Sequence, residues 1–359
     1  MSRRSAVTAL AVSAGLSATA AGWSLRAPLW LRVVAGALTT GTVWCLLRGL
    51  LGTVAAVSAV LRGRPPRPVL AAAALVALLA ADAGGAAPLP SAPGPGVDVA
   101  AALAVAPAPV TASGEPGSLV DRAGLGPEGR LFVDAGRGPA RAYVGLGHAP
   151  TEAERVQLAV QEWVRLGGLQ RAVVLVVAPT GSGWVDRAAV AAAEDAAGGD
   201  LVSVVVQYAE RASALEHLLG GDRPTRVTTA LVRGLRAVLD AVPAEQRPRL
   251  VLFGESLGAA AVEHAAAVVD VDGCLAAGRP GAALDPGPAG PCRAVRNADD
   301  PVSWWSPRLL LTPPDGLPWL PVVTFWQVTA QLAVSLDQPP GHGHQYGASL
   351  DLAWARVLR

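Results

Sequence analysis

Residues 247–265 read RPRLVLFGESLGAAAVEHA, and this stretch indicates the fold of the C-terminal part of the chain. The apolar run at 250–253 predicts a buried strand, and the alanine-rich run from Ala259 predicts a helix. Between them lies Gly-Glu-Ser-Leu-Gly, whose glycines allow a turn too tight for larger side chains. Ser256, at the centre of the turn, is expected near the N-terminus of the helix, where negative charge is favoured. Strand, Gly-x-Ser-x-Gly and helix in this order are typical of a turn that presents a nucleophilic serine.

The composition indicates membrane helices and excludes several classes of function. Of 359 residues, 52% are hydrophobic and 16% are charged, and the mean hydropathy is +0.39. Such a chain is too apolar to be wholly soluble. The net charge of +1 gives no reason to expect a nucleic-acid partner. The sequence has no lysine, so it has neither a Walker A nucleotide loop nor a lysine for a pyridoxal Schiff base. We therefore expect no nucleotide and no cofactor.

Three apolar stretches predict a transmembrane region over residues 1–90. They run from about 6 to 23, 29 to 61 and 68 to 87, and each is near the ~20 residues that cross a bilayer. The positive-inside rule places the arginines before the first stretch and between the second and third in the cytoplasm. These are Arg3, Arg4, Arg62, Arg64 and Arg67. The rest of the chain then lies outside, and it would do so equally if the first stretch were a signal peptide that ends near 18–20.

Residues 91–119 are mostly Ala, Gly, Pro and Ser and are predicted to be a linker, partly extended because of its prolines. From residue 120 to 359, valine-rich runs alternate with amphipathic stretches. The runs at 172–178 and 201–206 are typical of buried parallel strands. Thr151 and Glu154 form a capping box that starts a helix. Repeated strand–helix units predict an α/β domain with a mostly parallel sheet that helices cover on both faces.

A nucleophilic serine needs a base, and the base needs an orienting acid. In α/β folds with this turn, the acid and then the base follow the serine along the chain. We predict Asp300 as the acid, because the proline after it favours an extended backbone, with Asp299 as the alternate. We predict His344 as the base, because it lies in a glycine-rich stretch that predicts a tight loop, with His342 as the alternate.

The oxyanion that forms on an acyl substrate needs N–H donors. We predict the N–H of Leu257, which follows the serine, and that of Thr180 or Gly181 in the loop after an earlier strand. Glycines in that loop let the backbone turn an N–H towards the substrate oxygen.

Three features allow more than one interpretation. His342 and His344 could ligate zinc if they lay on a strand, although the glycines favour a loop. Cys274 and Cys292 either form a disulfide outside the membrane or are two unpaired cysteines. Four tryptophans between the acid and the base either pack in a core or at the membrane interface, or line a wall for an acyl chain. These are Trp304, Trp305, Trp319 and Trp326.

Six motifs are spread over the predicted C-terminal domain: APTGSGWVD at 178–186, VVVQYAE at 204–210, RPRLVLFGESLG at 247–258, DDPVSWWSPRLL at 299–310, PVVTFWQV at 321–328 and GHGHQYG at 341–347. With these motifs the chain resembles a bacterial membrane-anchored α/β-hydrolase family whose N-terminal part is a multi-span membrane region. The resemblance implies Ser256 as nucleophile, Asp300 as acid and a base in the 341–344 loop. Two departures are a shorter N-terminal region and the less aromatic sequence at 209–211.

The expected function is that of a serine hydrolase in the cell membrane, multi-pass, with its catalytic domain on the extracytoplasmic side. It would be an esterase or lipase that cleaves a carboxylic ester through an acyl-enzyme. The expected partners are the lipid bilayer and a small-molecule or lipid ester. The alternatives are an acyltransferase that acts on a lipid or sugar alcohol, and an inactive hydrolase-like domain that binds a partner.

Overall fold

The computed structural model describes residues 3–20, 28–60, 96–136, 138–210, 221–282, 290–314 and 317–358. The chain folds into two compact units. Unit 1 combines the N-terminal residues up to Pro90 with the later segments Gly281–Pro286 and Asp299–Gln338. Unit 2 comprises Ser91–Pro280, Gly287–Ala298 and Pro339–Arg359.

The secondary-structure elements are numbered in chain order. The described α-helices are α1 Arg3–Ala20, α2 Leu29–Val60, α3 Val99–Leu103, α4 Gly126–Asp134, α5 Glu152–Arg165, α6 Arg187–Ala196, α7 Arg223–Asp240, α8 Leu257–Val268, α9 Pro301–Trp304, α10 Val323–Leu332 and α11 Asp351–Val357. The described strands are β1 Ala140–Val144, β2 Val173–Ala178, β3 Leu201–Val206, β4 Arg249–Glu255, β5 Gly273–Ala277 and β6 Arg293–Val295.

The strands of unit 2 form one sheet in the order β1-β3-β2-β4-β5-β6, and every described pair is parallel. β1, β2 and β3 are buried over their whole lengths, as expected for parallel strands with helices on both faces. The predicted parallel sheet is therefore confirmed. The capping box is confirmed as well, because Thr151 Oγ1 accepts from the Glu154 N–H at 3.2 Å and Glu154 accepts from the Thr151 N–H at 3.0 Å.

Helices cover both faces of the sheet and bury a separate apolar core on each. Alternate β2 residues supply the two cores: Val174 and Val176 point to one face, and Leu175 and Val177 to the other. The first core takes side chains from α5, α7 and α8, and the second takes them from α4, α6 and α11. This period-two division of one strand is why its sequence is continuously apolar.

The linker prediction over 91–119 is wrong for the part that the structure describes. Residues 96–119 pack within unit 2, where α3 contacts α5 and α7. Glu162 on α5 is fully buried and accepts from the Ser113 hydroxyl at 2.7 Å, the Ser118 hydroxyl at 2.6 Å and the Leu119 N–H at 2.8 Å. These long-range hydrogen bonds satisfy a buried carboxylate, and the Ala- and Pro-rich composition gives no sign of them. Residues 91–95 lie outside the described part of the chain.

Unit 1 contains α1 and α2, which pack closely against each other. A Cβ on Gly15 would clash with Thr40, and one on Gly36 would clash with Thr19, so the two backbones approach through small residues. Among the described residues, Leu29–Arg48 is the one helical segment that is long and apolar enough to cross a membrane. A membrane anchor or a signal region would have this character. The apolar helix at Ala6–Ala20 is shorter. The third predicted stretch, at 68–87, lies outside the described residues.

A buried ion pair fixes the edge of the sheet in unit 2. Arg141 on β1 donates to Glu194 on α6 through Nε at 2.7 Å and Nη2 at 2.8 Å, and both side chains are almost fully buried. Arg141 Nη1 also donates to the Phe132 carbonyl at 2.8 Å. Removing one partner leaves the other charge buried without compensation, which is more costly than removing both.

We expect Arg141→Met to lower the free energy of unfolding by about 3–5 kcal/mol, measured by urea titration of the purified protein in detergent. The double variant Arg141→Met, Glu194→Met is the matched control and should recover most of the loss, because it leaves neither member of the pair as an uncompensated buried charge. A loss below about 1 kcal/mol in the single variant, as for an exposed pair, would contradict this role.

Candidate active site

Ser256 occupies the sharp turn that the sequence predicts between β4 and α8. Its backbone has φ 57° and ψ −120°, a region that non-glycine residues rarely adopt and that clusters at functional sites. A Cβ on Gly254 would clash with the Gly258 carbonyl, and one on Gly258 would clash with the carbonyl of Ala178 at the end of β2. The two glycines are therefore required by close backbone approach, and the serine side chain stays partly exposed.

The turn lies at the carboxyl edge of the sheet, at the point where the strand order reverses. The chain leaves β2 towards β3 on one side and leaves β4 towards β5 on the other side. Ligands of open parallel sheets bind at this edge, at such a switch point. The loop after β2 and the turn after β4 flank the switch point, so the predicted nucleophile and the predicted oxyanion loop are adjacent.

Internal hydrogen bonds shape the loop after β2. The Thr180 N–H donates to the Trp184 carbonyl at 2.9 Å, and the Gly183 N–H donates to the Thr180 carbonyl at 2.9 Å. Because the Thr180 N–H is already donated within the loop, Gly181 is the better of the two predicted oxyanion donors. Leu257 begins α8, so its N–H belongs to the first turn of that helix, as predicted.

Side chains from β1 and from the residue just after β3 hold the same loop. The Tyr143 hydroxyl donates to the Gly183 carbonyl at 3.0 Å, and Gln207 Nε2 donates to the Ser182 carbonyl at 3.0 Å. Burial raises the pKa of Tyr143, which keeps the hydroxyl protonated as a donor. The loop is thus fixed before any substrate binds, as an oxyanion site requires.

His344 lies beside the turn. The His344 side chain is nearly buried, and its Nε2 is 4.0 Å from Oε1 of Glu255, the residue directly before the serine. His342, the alternate base, is exposed. A Cβ on Gly278, which has φ +59°, would lie 2.7 Å from His344 Cε1, so only glycine at that position leaves room for the ring. The structure therefore brings His344, rather than His342, to the turn at 254–258 that holds Ser256, called the elbow below.

Two side chains anchor the His344 loop on either side of the histidine. Asn297, just after β6, donates through Nδ2 to the Gly343 carbonyl at 3.0 Å and to the Gln345 carbonyl at 3.1 Å. Asp186 caps α6 with Oδ1 and accepts from the Gly347 N–H with Oδ2 at 2.9 Å. Asp186 ends the motif at 178–186 and Asn297 lies just before the motif at 299–310, but nothing in their local pattern predicts these contacts.

A family model described as "Alpha/beta-hydrolase family" matches residues 140–284 and 291–359, well over half of the chain. The chain belongs to the alpha/beta-hydrolase family. The match covers β1 to β6, the Ser256 turn and the His344 loop, so the elbow described above is the one expected in this hydrolase fold.

Other comparisons add little to the family assignment. No curated protein matches the hydrolase chain. One solved structure that it matches is that of Trichoderma reesei cutinase in complex with a C11Y4 phosphonate inhibitor. The two are 16% identical, the match covers 51% of this chain and 87% of the cutinase chain, and the TM-score is 0.29. A likeness at that TM-score carries no argument about function.

The predicted acid belongs to unit 1 of the hydrolase. Asp300 is fully buried at the N-terminus of α9, where its Oδ1 accepts from the Val302 N–H at 2.8 Å and its carbonyl accepts from the Ser303 hydroxyl at 2.9 Å. Asp299 is half-buried. A fully buried carboxylate that precedes proline is a more constrained group than its neighbour, which favours Asp300 over Asp299.

Cys274 and Cys292 form a disulfide in unit 2, which decides between the two interpretations of the pair. The bond joins β5 to the segment that leads into β6. Asn297, which holds the His344 loop, lies two residues after the end of β6. The disulfide therefore anchors the segment that holds the His344 loop.

The four tryptophans that lie between Asp300 and His344 in the chain have packing partners. Trp304 forms a small core with Leu309 and Val328, and Trp305 and Trp319 pack against that core. Trp326 packs elsewhere, with Ala330, against α2. These contacts support the packing interpretation rather than an acyl-chain wall.

The zinc interpretation of His342 and His344 gains no support from the structure. One ring is exposed and the other is buried. Within the described ranges, no group of three or more His, Cys, Asp or Glu side chains is placed to hold a metal ion.

Proposed function

We propose that this hydrolase is a membrane-anchored serine esterase or lipase that cleaves a carboxylic ester through an acyl-enzyme on Ser256. The observation that carries the proposal is the positive-φ serine at the switch point of the sheet, with the His344 imidazole beside the residue that precedes it. Strained residues of this kind cluster where they serve a function.

The proposed reaction uses groups of unit 2 for its main steps. Ser256 Oγ attacks the ester carbonyl while His344 takes its proton, and the Leu257 and Gly181 N–H groups stabilise the oxyanion. His344 then protonates the leaving alcohol, which departs and leaves the acyl group on Ser256. Water attacks the acyl-enzyme with the same base, and the carboxylic acid is released. Asp300 keeps the role of orienting acid on the basis of chain order and burial.

Glu255 adds a carboxylate that sequence reasoning did not assign a role. It is almost fully buried, and its Oε1 lies 4.0 Å from His344 Nε2, the nitrogen on the side of the elbow. A negative charge there favours the imidazolium that forms when His344 takes the serine proton. We therefore assign Glu255 to electrostatic support of the base.

We expect Glu255→Gln to lower kcat with little change in KM. Opposite charges about 4 Å apart attract by roughly 4 kcal/mol at an effective dielectric constant of about 20. Loss of part of this interaction in the transition state corresponds to a decrease in kcat of roughly 10- to 100-fold. The measurement is steady-state hydrolysis of a p-nitrophenyl ester. Glu263→Gln is the control. Glu263 lies on α8 and pairs with Arg279 at 3.0 Å instead of with His344. Burial raises the pKa of the Glu263 carboxyl. Equal kcat values in wild type and Glu255→Gln would contradict the assignment.

A panel of p-nitrophenyl esters with acyl chains of increasing length, assayed with and without added alcohols, tests the proposed reaction. Release of free acid as the main product supports hydrolysis. Acyl transfer to glycerol or a sugar as the main product would establish the acyltransferase alternative. No turnover of any ester by folded protein would favour the inactive binding domain.

We place the catalytic unit on the extracytoplasmic side of a multi-pass membrane protein. The arginine distribution supports this orientation. The Cys274–Cys292 disulfide supports it independently, since disulfides persist in oxidising compartments. The bilayer would then lie close to the enzyme, and a lipid ester is an accessible substrate.

A further inference from the structure

Helix α10 of unit 1 packs against the interior of the candidate membrane span. Ala330 on α10 forms an apolar cluster with Leu31 and Ala35, and Trp326 Nε1 donates to Thr42 Oγ1 at 2.9 Å. All three α2 residues lie within Leu29–Arg48. If that segment crosses the bilayer, a helix packed along residues 31–42 is at the depth of the hydrocarbon as well.

The sequence around α10 suits that environment. Residues 317–336 contain no Asp, Glu, Lys, Arg or His. The polar side chains of α10 find partners within the protein: Gln327 Nε2 donates to the Ala18 carbonyl at 3.2 Å, and the Thr329 hydroxyl donates to the Phe325 carbonyl at 2.7 Å. Thr329 Oγ1 also accepts from Trp305 Nε1 at 3.0 Å. In lipid, polar groups must be satisfied within the protein in this way.

The segment at 317–336 carries exposed leucines, as the N-terminal helices do. Leu320 is 49% exposed and Leu336 is 57% exposed, in the same compact unit as Leu16 and Leu38 of the N-terminal helices, which are 65% and 41% exposed. Single exposed leucines are common on protein surfaces, but Leu320 and Leu336 belong to an uncharged segment that packs on a candidate span, so the apolar phase around the span would cover them as well. The apolar phase that surrounds a membrane span is the lipid bilayer, and the segment packs on such a candidate span.

The segment is too short to cross the membrane. α10 has 10 residues, which extend about 15 Å, whereas the hydrocarbon core is about 30 Å thick. The chain leaves unit 2 after Ala298 and returns to it at Pro339, so both ends of the segment belong to the same side. We propose that residues 317–336 form a re-entrant membrane element that packs on the N-terminal span.

Site-specific labelling of the full chain in vesicles of phosphatidylcholine and phosphatidylglycerol tests this proposal. The background variant is Cys45→Ser, which removes the free cysteine and leaves the disulfide intact under non-reducing conditions. Leu320→Cys and Leu336→Cys probe the segment, Leu38→Cys probes the span, and Leu352→Cys, at a residue of unit 2 that is 76% exposed, is the matched control. Each cysteine carries an environment-sensitive NBD label.

Lipids with doxyl groups on their acyl chains should quench the labels at 320, 336 and 38 several-fold more than iodide does, and the label at 352 should show the opposite preference. Lipid quenching at 38 but iodide quenching at 320 and 336 would overturn the proposal. Iodide quenching at all four positions would overturn it together with the anchor. Since no outcome depends on turnover, failure here is distinguishable from failure of the proposed esterase activity.

Discussion

Replacing His344 by alanine should lower kcat/KM for ester hydrolysis by about 10⁴- to 10⁶-fold, as removal of a catalytic base does in serine hydrolases. The structure gives a specific reason for choosing this residue of the two in the loop. His344 is nearly buried, 4.0 Å from the carboxylate of Glu255, and Asn297 clamps the backbone on both sides of it. In the proposed mechanism the His344 imidazole is the group that accepts the serine proton, so its removal should stop the first step.

His342→Ala is the control for this substitution, because it removes the same side chain from the same loop at an exposed position. Its kcat/KM should equal that of the wild type, measured with the same p-nitrophenyl ester. A large loss in His342→Ala together with an active His344→Ala would reverse the assignment of the base. Circular dichroism of both variants would show whether the fold is retained.

Ser256→Ala should abolish turnover to a similar extent, about 10⁴- to 10⁶-fold in kcat, because the acyl-enzyme can no longer form. Alanine avoids the bulk that the turn excludes, but it still has to adopt φ near 57°, so the fold must be checked by the urea midpoint. Ser203→Ala is the matched control. Its hydroxyl is buried on β3 without a hydrogen-bond partner among the described residues, and its loss should leave turnover unchanged.

A Ser256→Ala variant that kept more than about 1% of the wild-type kcat would contradict nucleophilic catalysis by this residue, since removal of a nucleophile costs far more. The activity would then belong to another group or to a contaminating esterase. The same assay on Ser203→Ala measures how far a generic serine deletion affects the preparation.

The sequence predicted the parts of the fold that depend on local pattern. β3 occupies 201–206 as predicted, since a valine-rich run of that length has few alternatives. The glycines at 254 and 258 indicated the elbow, because close backbone approach excludes any other residue there. The position of the switch point beside the Ser256 turn follows from the order of the strands in the sheet. The alternation of strands and helices along the sequence does not determine that order.

The contacts that position the base could not be predicted. Asn297 and Asp186 lie about 47 and 158 residues before His344 in the chain, and only the folded sheet brings them to its loop. Glu255 was visible within the elbow motif, but its proximity to His344 is a tertiary contact. The choice between His342 and His344 likewise depended on burial, which two identical side chains in a glycine-rich loop do not reveal.

The organisation into units also differs from the prediction for a similar reason. Segment 299–338 was assigned to the catalytic domain by its position in the chain, yet it forms a compact unit with the N-terminal helices. Trp326 donates to Thr42 and Gln327 donates to Ala18. These hydrogen bonds join residues that are 284 and 309 positions apart in the chain, and a pattern read along the sequence does not detect such pairs.

Fluorophosphonate labelling followed by peptide mass spectrometry tests the central claim most directly. Membranes that contain the wild-type protein are treated with the probe, and the adduct is located on the peptide map. We predict one adduct, on Ser256, that is absent from Ser256→Ala and strongly reduced in His344→Ala. Folded wild-type protein that takes up no probe, or carries it on another residue, would contradict the assignment of this hydrolase as a serine esterase with Ser256 as its nucleophile.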